Sequence, residues 1–586
     1  MPEEMFVQVE NVSYTHWNQD TPTLKEVTLD IRPCTINVLV GPGGSGKSTL
    51  CSLFNGEIPH LLGGKMEGRV VVDGLDTRET AVRHLAERAG HMLQDPETMF
   101  ATLYVEDEIA FGPENLCLEV GEIRQRVERL LEEIQLMPQR SNLVWNLSGG
   151  QIQKLGLATI LAMNPRMVVL DEPTANLDPQ ATRQVYELVL KLRAQGITVL
   201  LVTRELDDFL LASADQLLVL KEGRLLAAGP VQAVLDLHGS ELDQMGIWLP
   251  ETVEIGLSVV ERLGLQSARL PISVDETLSF LGSQRLLPAE LENPAGDHTS
   301  QPEERQALVS GRELSYTYPN GYTALKGISF EIYAGEMLAI VGRNGAGKST
   351  LARLLTGLLK MQTGALDLFG KPARSWKVEQ LAERISLVFQ NPEHQFLTDT
   401  AYDEIAYSLL ARGIDDEVQV RALVDEWLER LQLTPFASTH PFALSAGMKR
   451  RLGVATMLVC HPQVLLVDEP TYGQDKEMTR TLMAIMEEIR AQGVSVVMIT
   501  HDMRLVQEYA QRVLVMADGQ IIYTGDPSAL FGSADVLRSA NLRPTLLQEL
   551  LAAYEASGGR VVSAVRTPMD FFNMLDFSRW KSSDVN

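Results

Sequence analysis

Two tandem α/β domains, each with a mostly parallel core sheet, are predicted by three observations. Short apolar runs alternate with helical periods along most of the chain. The stretch Gly41-Pro42-Gly43-Gly44-Ser45-Gly46-Lys47-Ser48-Thr49 reads G-x-x-x-x-G-K-S between an apolar run and a helical start. The same pattern returns at Gly342-Arg343-Asn344-Gly345-Ala346-Gly347-Lys348-Ser349-Thr350, and later landmarks keep nearly the same offset, so a whole domain is repeated.

This loop pattern suits phosphate. Its glycines let backbone N–H groups turn inward around phosphate oxygens, and the following helix adds its positive end. Lys47 and Lys348 can reach the terminal phosphates, while Ser48 and Ser349 offer hydroxyls to a magnesium ion.

The elements follow in order. Residues 6–14 alternate apolar and polar side chains, as a half-buried strand does. Residues 27–31 and 36–40 continue the sheet; 49–55 read as the helix after the phosphate loop; 68–73 and 91–93 are further strands. Helical spacing marks 105–111 and 122–134. Leu147-Ser148-Gly149-Gly150-Gln151 then opens a helix to about residue 163. An apolar strand at 167–170 ends in Asp171-Glu172-Pro173-Thr174, and a helix at 179–194 leads to a strand at 198–203. The first domain is expected to end near residue 230, with a helical extension over 231–291. Residues 292–306 are polar, carry two prolines and form a linker. The second domain spans 307–526, and a helical extension and tail follow at 527–586, peripheral from about Thr567.

Composition bounds the function. The chain has 586 residues, 45% of them hydrophobic, enough for several cores. Mean hydropathy is −0.02 and no long apolar run is present, so no membrane-spanning helix is expected. The acidic start (MPEEMFVQVE) lacks the character of a signal peptide. Four cysteines, Cys34, Cys51, Cys117 and Cys460, lack metal-ligand spacing and fit a reducing compartment. A net charge of −26 disfavours sequence-independent nucleic-acid binding and docking on an anionic membrane.

Carboxylates at a strand's C-terminal end suit metal–nucleotide chemistry, because the loops of an open α/β sheet converge there. Asp171 can hold magnesium with Ser48, and Glu172 can orient or deprotonate a water; Asp468 and Glu469 repeat the pair. The Leu-Ser-Gly-Gly-Gln stretch is a second phosphate-binding element, with a hydroxyl, glycine amides and a helix N-terminus. One domain needs one phosphate cradle, so a second points to a site shared between domains.

On these motifs the chain resembles two fused nucleotide-binding domains of ATP-binding cassette (ABC) proteins, over nearly its whole length. The resemblance implies two P-loop NTPase domains, each with a mixed, mostly parallel core sheet, an antiparallel β subdomain and a helical subdomain. It implies ATP and Mg²⁺ as cofactors, and an internal pseudo-dimer that holds each ATP between one domain's phosphate loop and the other's signature loop. Carried over by position, the first half supplies Gln94, Ser148, Gly149, Gly150, Gln151, Asp171, Glu172, Asp178 and Arg204. The second supplies Gln390, Ser445, Ala446, Gly447, Met448, Asp468, Glu469, Asp475 and His501. Gln94 and Gln390 join the metal site, and the aromatic beside adenine matches Tyr318 in the second half and His16 or Trp17 in the first.

The departures from the family pattern fall on one composite site. Lys348, Glu469 and His501 would face the intact Ser148–Gln151 signature, whereas Lys47, Glu172 and Arg204 would face Ser445-Ala446-Gly447-Met448. Arg204 replaces a histidine and cannot act as a neutral imidazole acceptor. Unequal sites are therefore expected, the second-half loop hydrolysing faster.

Gln390-Asn391-Pro392-Glu393-His394-Gln395-Phe396 with Asp403-Glu404-Ile405-Ala406-Tyr407, and Gln94-Asp95-Pro96-Glu97-Thr98-Met99-Phe100 with the acidic stretch from Glu106 to Asn115, resemble the ATPases of energy-coupling factor (ECF) importers of vitamins and metals. That resemblance implies a peripheral protein on the cytoplasmic face of the membrane, partnered by a transmembrane scaffold subunit and a substrate-specific membrane subunit. The acids just named would face arginines of the scaffold's coupling helices. Alternatives are the ATPase of a conventional ABC importer and a soluble ABC translation factor. The unclustered cysteines, short linker and acidic charge weigh against the latter, and no long coiled-coil insertion marks a DNA-maintenance ATPase.

Overall fold

A computed structural model of the chain describes residues 5–17, 19–175, 177–265, 268–292, 306–471 and 473–580, without the side chains of Ala446 and Arg579. It divides into two compact units, Met1–Ser283 and Gln284–Asn586. Each is a two-sheet α/β domain.

In the first unit the core sheet has six strands in the order Arg224–Gly229, Gln216–Lys221, Ile36–Val40, Thr198–Val202, Met167–Asp171, Ala89–Met92. All neighbours are parallel except Arg224–Gly229, which runs antiparallel to Gln216–Lys221. The central strand is buried on both faces and therefore reads as one apolar run. Ile36, Val38 and Val40 pack among the helices, while Leu39 packs toward the four-stranded antiparallel sheet of Leu24–Ile31, Val7–His16, Gly64–Val72 and Leu75–Asp76.

The second unit repeats this arrangement. Its core order is Ile385–Val388, Val464–Asp468, Ser495–Ile499, Met337–Val341, Arg512–Ala517, Gln520–Gly525. Met337, Ala339 and Val341 face the helical layer, and Leu338 and Ile340 face the antiparallel sheet of Thr323–Tyr333, Ala307–Thr317, Thr363–Leu368 and Lys371–Pro372. In both units the phosphate loop leaves the central strand and the Asp-Glu pair leaves a strand two places along.

Three readings are corrected. The helix after the first phosphate loop begins at Lys47, not Thr49, with Gly46 at its N-cap in the left-handed region. The division between units falls after Ser283, short of residue 291. Pro288 O accepts from Tyr554 Oη at 2.5 Å, and Glu290–Leu291 pairs with Arg560–Val561, so this stretch belongs to the second core. The tail from Thr567 is not peripheral: Thr567 caps the helix Pro568–Asn573, Phe571 is fully buried, and Met574 and Leu575 are buried too. Burying a phenylalanine contributes about 2–3 kcal/mol, enough to hold so short a helix. The linker expected at 292–306 lies outside the described residues except for Glu292 and Gln306.

Candidate nucleotide sites

Each phosphate loop is held close to its sheet. A β-carbon on Gly41 would lie 2.2 Å from Leu220 O, and one on Gly342 would lie 2.0 Å from Met516 O, so only glycine fits. The buried Lys47 curls over its own loop, with Nζ donating to Gly41 O at 2.7 Å and Pro42 O at 2.9 Å. Lys348 does the same with Gly342 O at 2.6 Å and Arg343 O at 3.0 Å. A bound phosphate would offer these ammonium groups a charged, stronger acceptor.

Beside the loops, Ser48 Oγ donates to Asp171 Oδ2 at 2.6 Å and Ser349 Oγ to Asp468 Oδ2 at 2.9 Å. Glu172 and Glu469 follow in left-handed backbone, with φ of 49° and 55°. Such values cost a residue with a β-carbon free energy and persist only where neighbours impose them. Here the Glu172 N–H donates to Val202 O at 3.0 Å and the Glu469 N–H to Ile499 O at 2.8 Å, turning each side chain back toward its loop.

The surroundings of the two glutamates differ. Glu172 accepts from Arg204 Nε at 2.5 Å and from Gln94 Nε2 at 3.0 Å. Glu469 is in contact with His501 Nδ1 at 2.8 Å and accepts from Thr500 Oγ1 at 3.3 Å. Burial raises the Glu172 carboxyl above its usual range despite the Arg204 cation. Burial also opposes the charge of Glu469, but His501 and Lys348 outweigh it and its pKa ends lowered. His501 is raised in turn, because Glu469 overcomes the cost of burying the imidazolium. Lys47 is lowered to about 8, by burial first and by Arg204 second. Burial raises Asp468.

Each aromatic expected beside adenine has its own setting. Tyr318 Oη lies 3.1 Å from Thr350 Oγ1 and its ring meets Tyr316 edge-on. His16 repeats both contacts, with Nε2 3.3 Å from Thr49 Oγ1 and its ring edge-on to Tyr14. His16, not the 83% exposed Trp17, is thus the structural counterpart of Tyr318.

The signature segments cap helices. In Gly149–Leu161, the Ser148 N–H donates to Gln151 Oε1 at 2.9 Å. In Ala446–Leu458, Ser445 Oγ accepts from the Met448 N–H at 3.3 Å, and the Met448 side chain has no oxygen to return the bond. A β-carbon on Gly149 would meet nothing within 4 Å among the described residues, so no packing inside the unit demands glycine there. Asp178 and Asp475 cap the next long helices, accepting from the Ala181 N–H at 2.9 Å and the Met478 N–H at 2.8 Å. Gln390 is exposed, like Gln94.

The acids expected to face a partner divide in two. Glu108 is buried and accepts from the N–H groups of Ala101 and Thr102 and from Thr102 Oγ1, at 3.0, 2.7 and 2.8 Å. Glu404 accepts in the same way from Leu397, Thr398 and Thr398 Oγ1, at 2.9, 2.8 and 2.8 Å. Both are loop clamps, spent inside the fold, and Glu106 pairs with Arg140 at 2.5 Å. Asp107, Glu114 and Asp403 remain exposed.

Sequence reasoning missed two contributors. Tyr322 Oη donates to Gly345 O of the second loop at 2.8 Å. The fully buried Arg450 donates to the backbone carbonyls of Phe389, Asp468 and Glu469. A cation in the signature helix where the repeat has an amide was the available signal for Arg450; Tyr322, opposite a threonine region, carried none.

Two phosphate-cradling loops, each beside a strand that ends in Asp-Glu, define the class: P-loop nucleotide hydrolases, twice in one polypeptide. The family model described as ABC transporter matches residues 24–175 and 325–472. The chain is 36% identical over 93% of its length to a Methanosarcina mazei protein provisionally named ABC transporter ATP-binding protein, covering 92% of it. It is 35% identical over 93% of its length to YkoD of Bacillus subtilis, provisionally named an HMP/thiamine import ATP-binding protein, covering 96% of it. Among solved structures, cbiO1 from Clostridium perfringens, described as part of the ABC transporter complex cbiONQ, is 33% identical, with a TM-score of 0.36 over 42% of this chain and 99% of that one. The chain belongs to the ABC transporter family, as an ATP-binding protein with two ATPase domains. Among the described residues no helix is long and apolar enough to cross a membrane.

Proposed function

We propose that the chain is the ATP-hydrolysing subunit of an ECF-type importer, on the cytoplasmic face of the membrane. It would drive a transmembrane scaffold subunit and a substrate-specific membrane subunit that take up a vitamin, vitamin precursor or metal ion. Each ATP would lie between the phosphate loop of one half and the signature loop of the other. The γ-phosphate would then touch both halves only when they close, so binding favours closure and hydrolysis releases it.

Lys47 and Lys348 would bind the terminal phosphates, and His16 and Tyr318 would flank adenine. Glu469 would orient and deprotonate the attacking water, with His501 holding that carboxylate and reaching the γ-phosphate. Ser48 with Asp171, and Ser349 with Asp468, would hold Mg²⁺, joined by Gln94 and Gln390. Each hydroxyl–carboxylate pair already sits together, and oxygen donors suit this ion, which takes one or two protein carboxylates plus phosphates. The ion would neutralise charge developing on the phosphate oxygens.

One observation carries the coupling. Beyond each Gln loop lies exposed apolar surface: Leu103, Tyr104 and Phe111 in the first half, 56, 43 and 42% exposed, and Leu397, Tyr407 and Leu410 in the second, 71, 47 and 51% exposed. Apolar side chains so placed suit a partner helix. Gln94 bonds Glu172 directly, which would join that surface to the nucleotide. The importer reading with a vitamin cargo is further supported by the name of the Bacillus subtilis relative.

Purification of the full chain from its own membranes tests the reading. Two membrane proteins should accompany it, one a small substrate-specific subunit, and F111D together with Y407D should release them. A scaffold without the small subunit would favour a conventional importer, and co-sedimentation with ribosomes a translation factor.

A further inference from the structure

Arg450 stands five residues after the helix-capping Ser445, as Gln153 stands five after Ser148. The two positions are equivalent and their chemistry is not. Arg450 is fully buried. One guanidinium nitrogen donates to Phe389 O, immediately before Gln390; the other donates to Asp468 O and, at 2.6 Å, to Glu469 O. A single planar group therefore ties the Gln loop to the end of the strand that carries the catalytic pair. A guanidinium can do this because its donors diverge in a fixed plane. In the first unit the Gln153 amide oxygen is buried without a hydrogen-bond partner among the described residues, and no such tie is made.

The tie falls where the backbone needs it. Glu469 is in left-handed conformation, held on its N–H side by Ile499 O. Arg450 holds the carbonyl side of the same residue. With both sides fixed, the carboxylate has little freedom to leave His501, and positioning of this kind is worth large factors in rate.

We propose that Arg450 is a positioning residue for ATP hydrolysis, fixing the backbone of Glu469 and the base of the Gln390 loop in the second unit, a constraint that Gln153 does not supply in the first. The inference rests on Glu469 being the base of the faster site.

Steady-state ATPase of the full chain tests it, with rates normalised to the number of molecules that bind a fluorescent ATP analogue. The variants are R450Q, R450K, E469Q and the double variant R450Q/E469Q. E469Q should lower kcat on the order of 10²-fold. R450Q should lower kcat about tenfold with KM for ATP within about twofold, and R450K should recover about half of the loss, keeping the charge but not the planar fork. In the E469Q background R450Q should remove nothing further, because both changes act through one group. Equal losses from R450Q in both backgrounds, or none in the wild type, would overturn the proposal. If E469Q itself leaves kcat unchanged, the assignment of the base fails instead. Because R450Q can impair folding, the normalised rates and R450K decide the matter where its yield is low.

Discussion

Glu172 and Glu469 occupy the same place in two copies of one fold and differ in their partners. Glu469 is paired with an imidazole, which with Lys348 lowers its pKa against the cost of burial. Glu172 is paired with a permanent cation through a short bond to Arg204 and with Gln94, and burial still raises it. The partners differ in what they can do with a proton: Arg204 stays charged, whereas the imidazole of His501 can exchange a proton with the carboxylate it contacts. Burial, with Arg204 second, lowers Lys47 to about 8, so without nucleotide the ammonium charge in the first loop is lost as pH rises through that value. E469Q should therefore reduce total ATPase at least tenfold more than E172Q, measured as phosphate release at saturating ATP. Equal losses would refute the inequality of the two sites.

At the scale of elements, short connections are stabilised by buried carboxylates. Glu404, on the helix Ala401–Leu410, gathers three donors from residues 397 and 398 and holds the loop that presents Leu397 to solvent. Glu108 does the same in the first unit. Removing a buried acceptor that serves three donors strands those donors. E404A should cost roughly 2–4 kcal/mol in the second unit, read by denaturant unfolding, with E404Q costing less. No change in midpoint would mean that the clamp is not structural. The signature helices differ on the same scale: in the first the Gln151 side chain accepts from the Ser148 N–H, and in the second the Ser445 hydroxyl accepts from the Met448 N–H while the Met448 side chain cannot accept in return.

Over the whole molecule, duplication was plain from two phosphate loops, and most strands and helices matched their apolar periods. The helix Pro179–Ala194 and the strand Ile36–Val40 fall where the pattern put them. The C-terminal tail did not, because residues far along the chain tie it down, with the Asp576 N–H donating to Leu286 O and Gln507 Nε2 to Arg566 O, and no local pattern marks this. F571A should destabilise that unit by about 3–5 kcal/mol, visible as an earlier thermal transition while the first unit's transition stays in place. The sequence by itself determined the repeated α/β fold, the phosphate loops, the Asp-Glu pairs and the unequal signatures, since each is encoded by neighbours along the chain. Only the tertiary structure decided that His16 and not Trp17 matches Tyr318, that Glu108 and Glu404 are spent inside the fold, and that Arg450 donates to the Glu469 carbonyl. Those outcomes depend on which atoms meet across long separations in sequence, and residue type and spacing do not carry that information.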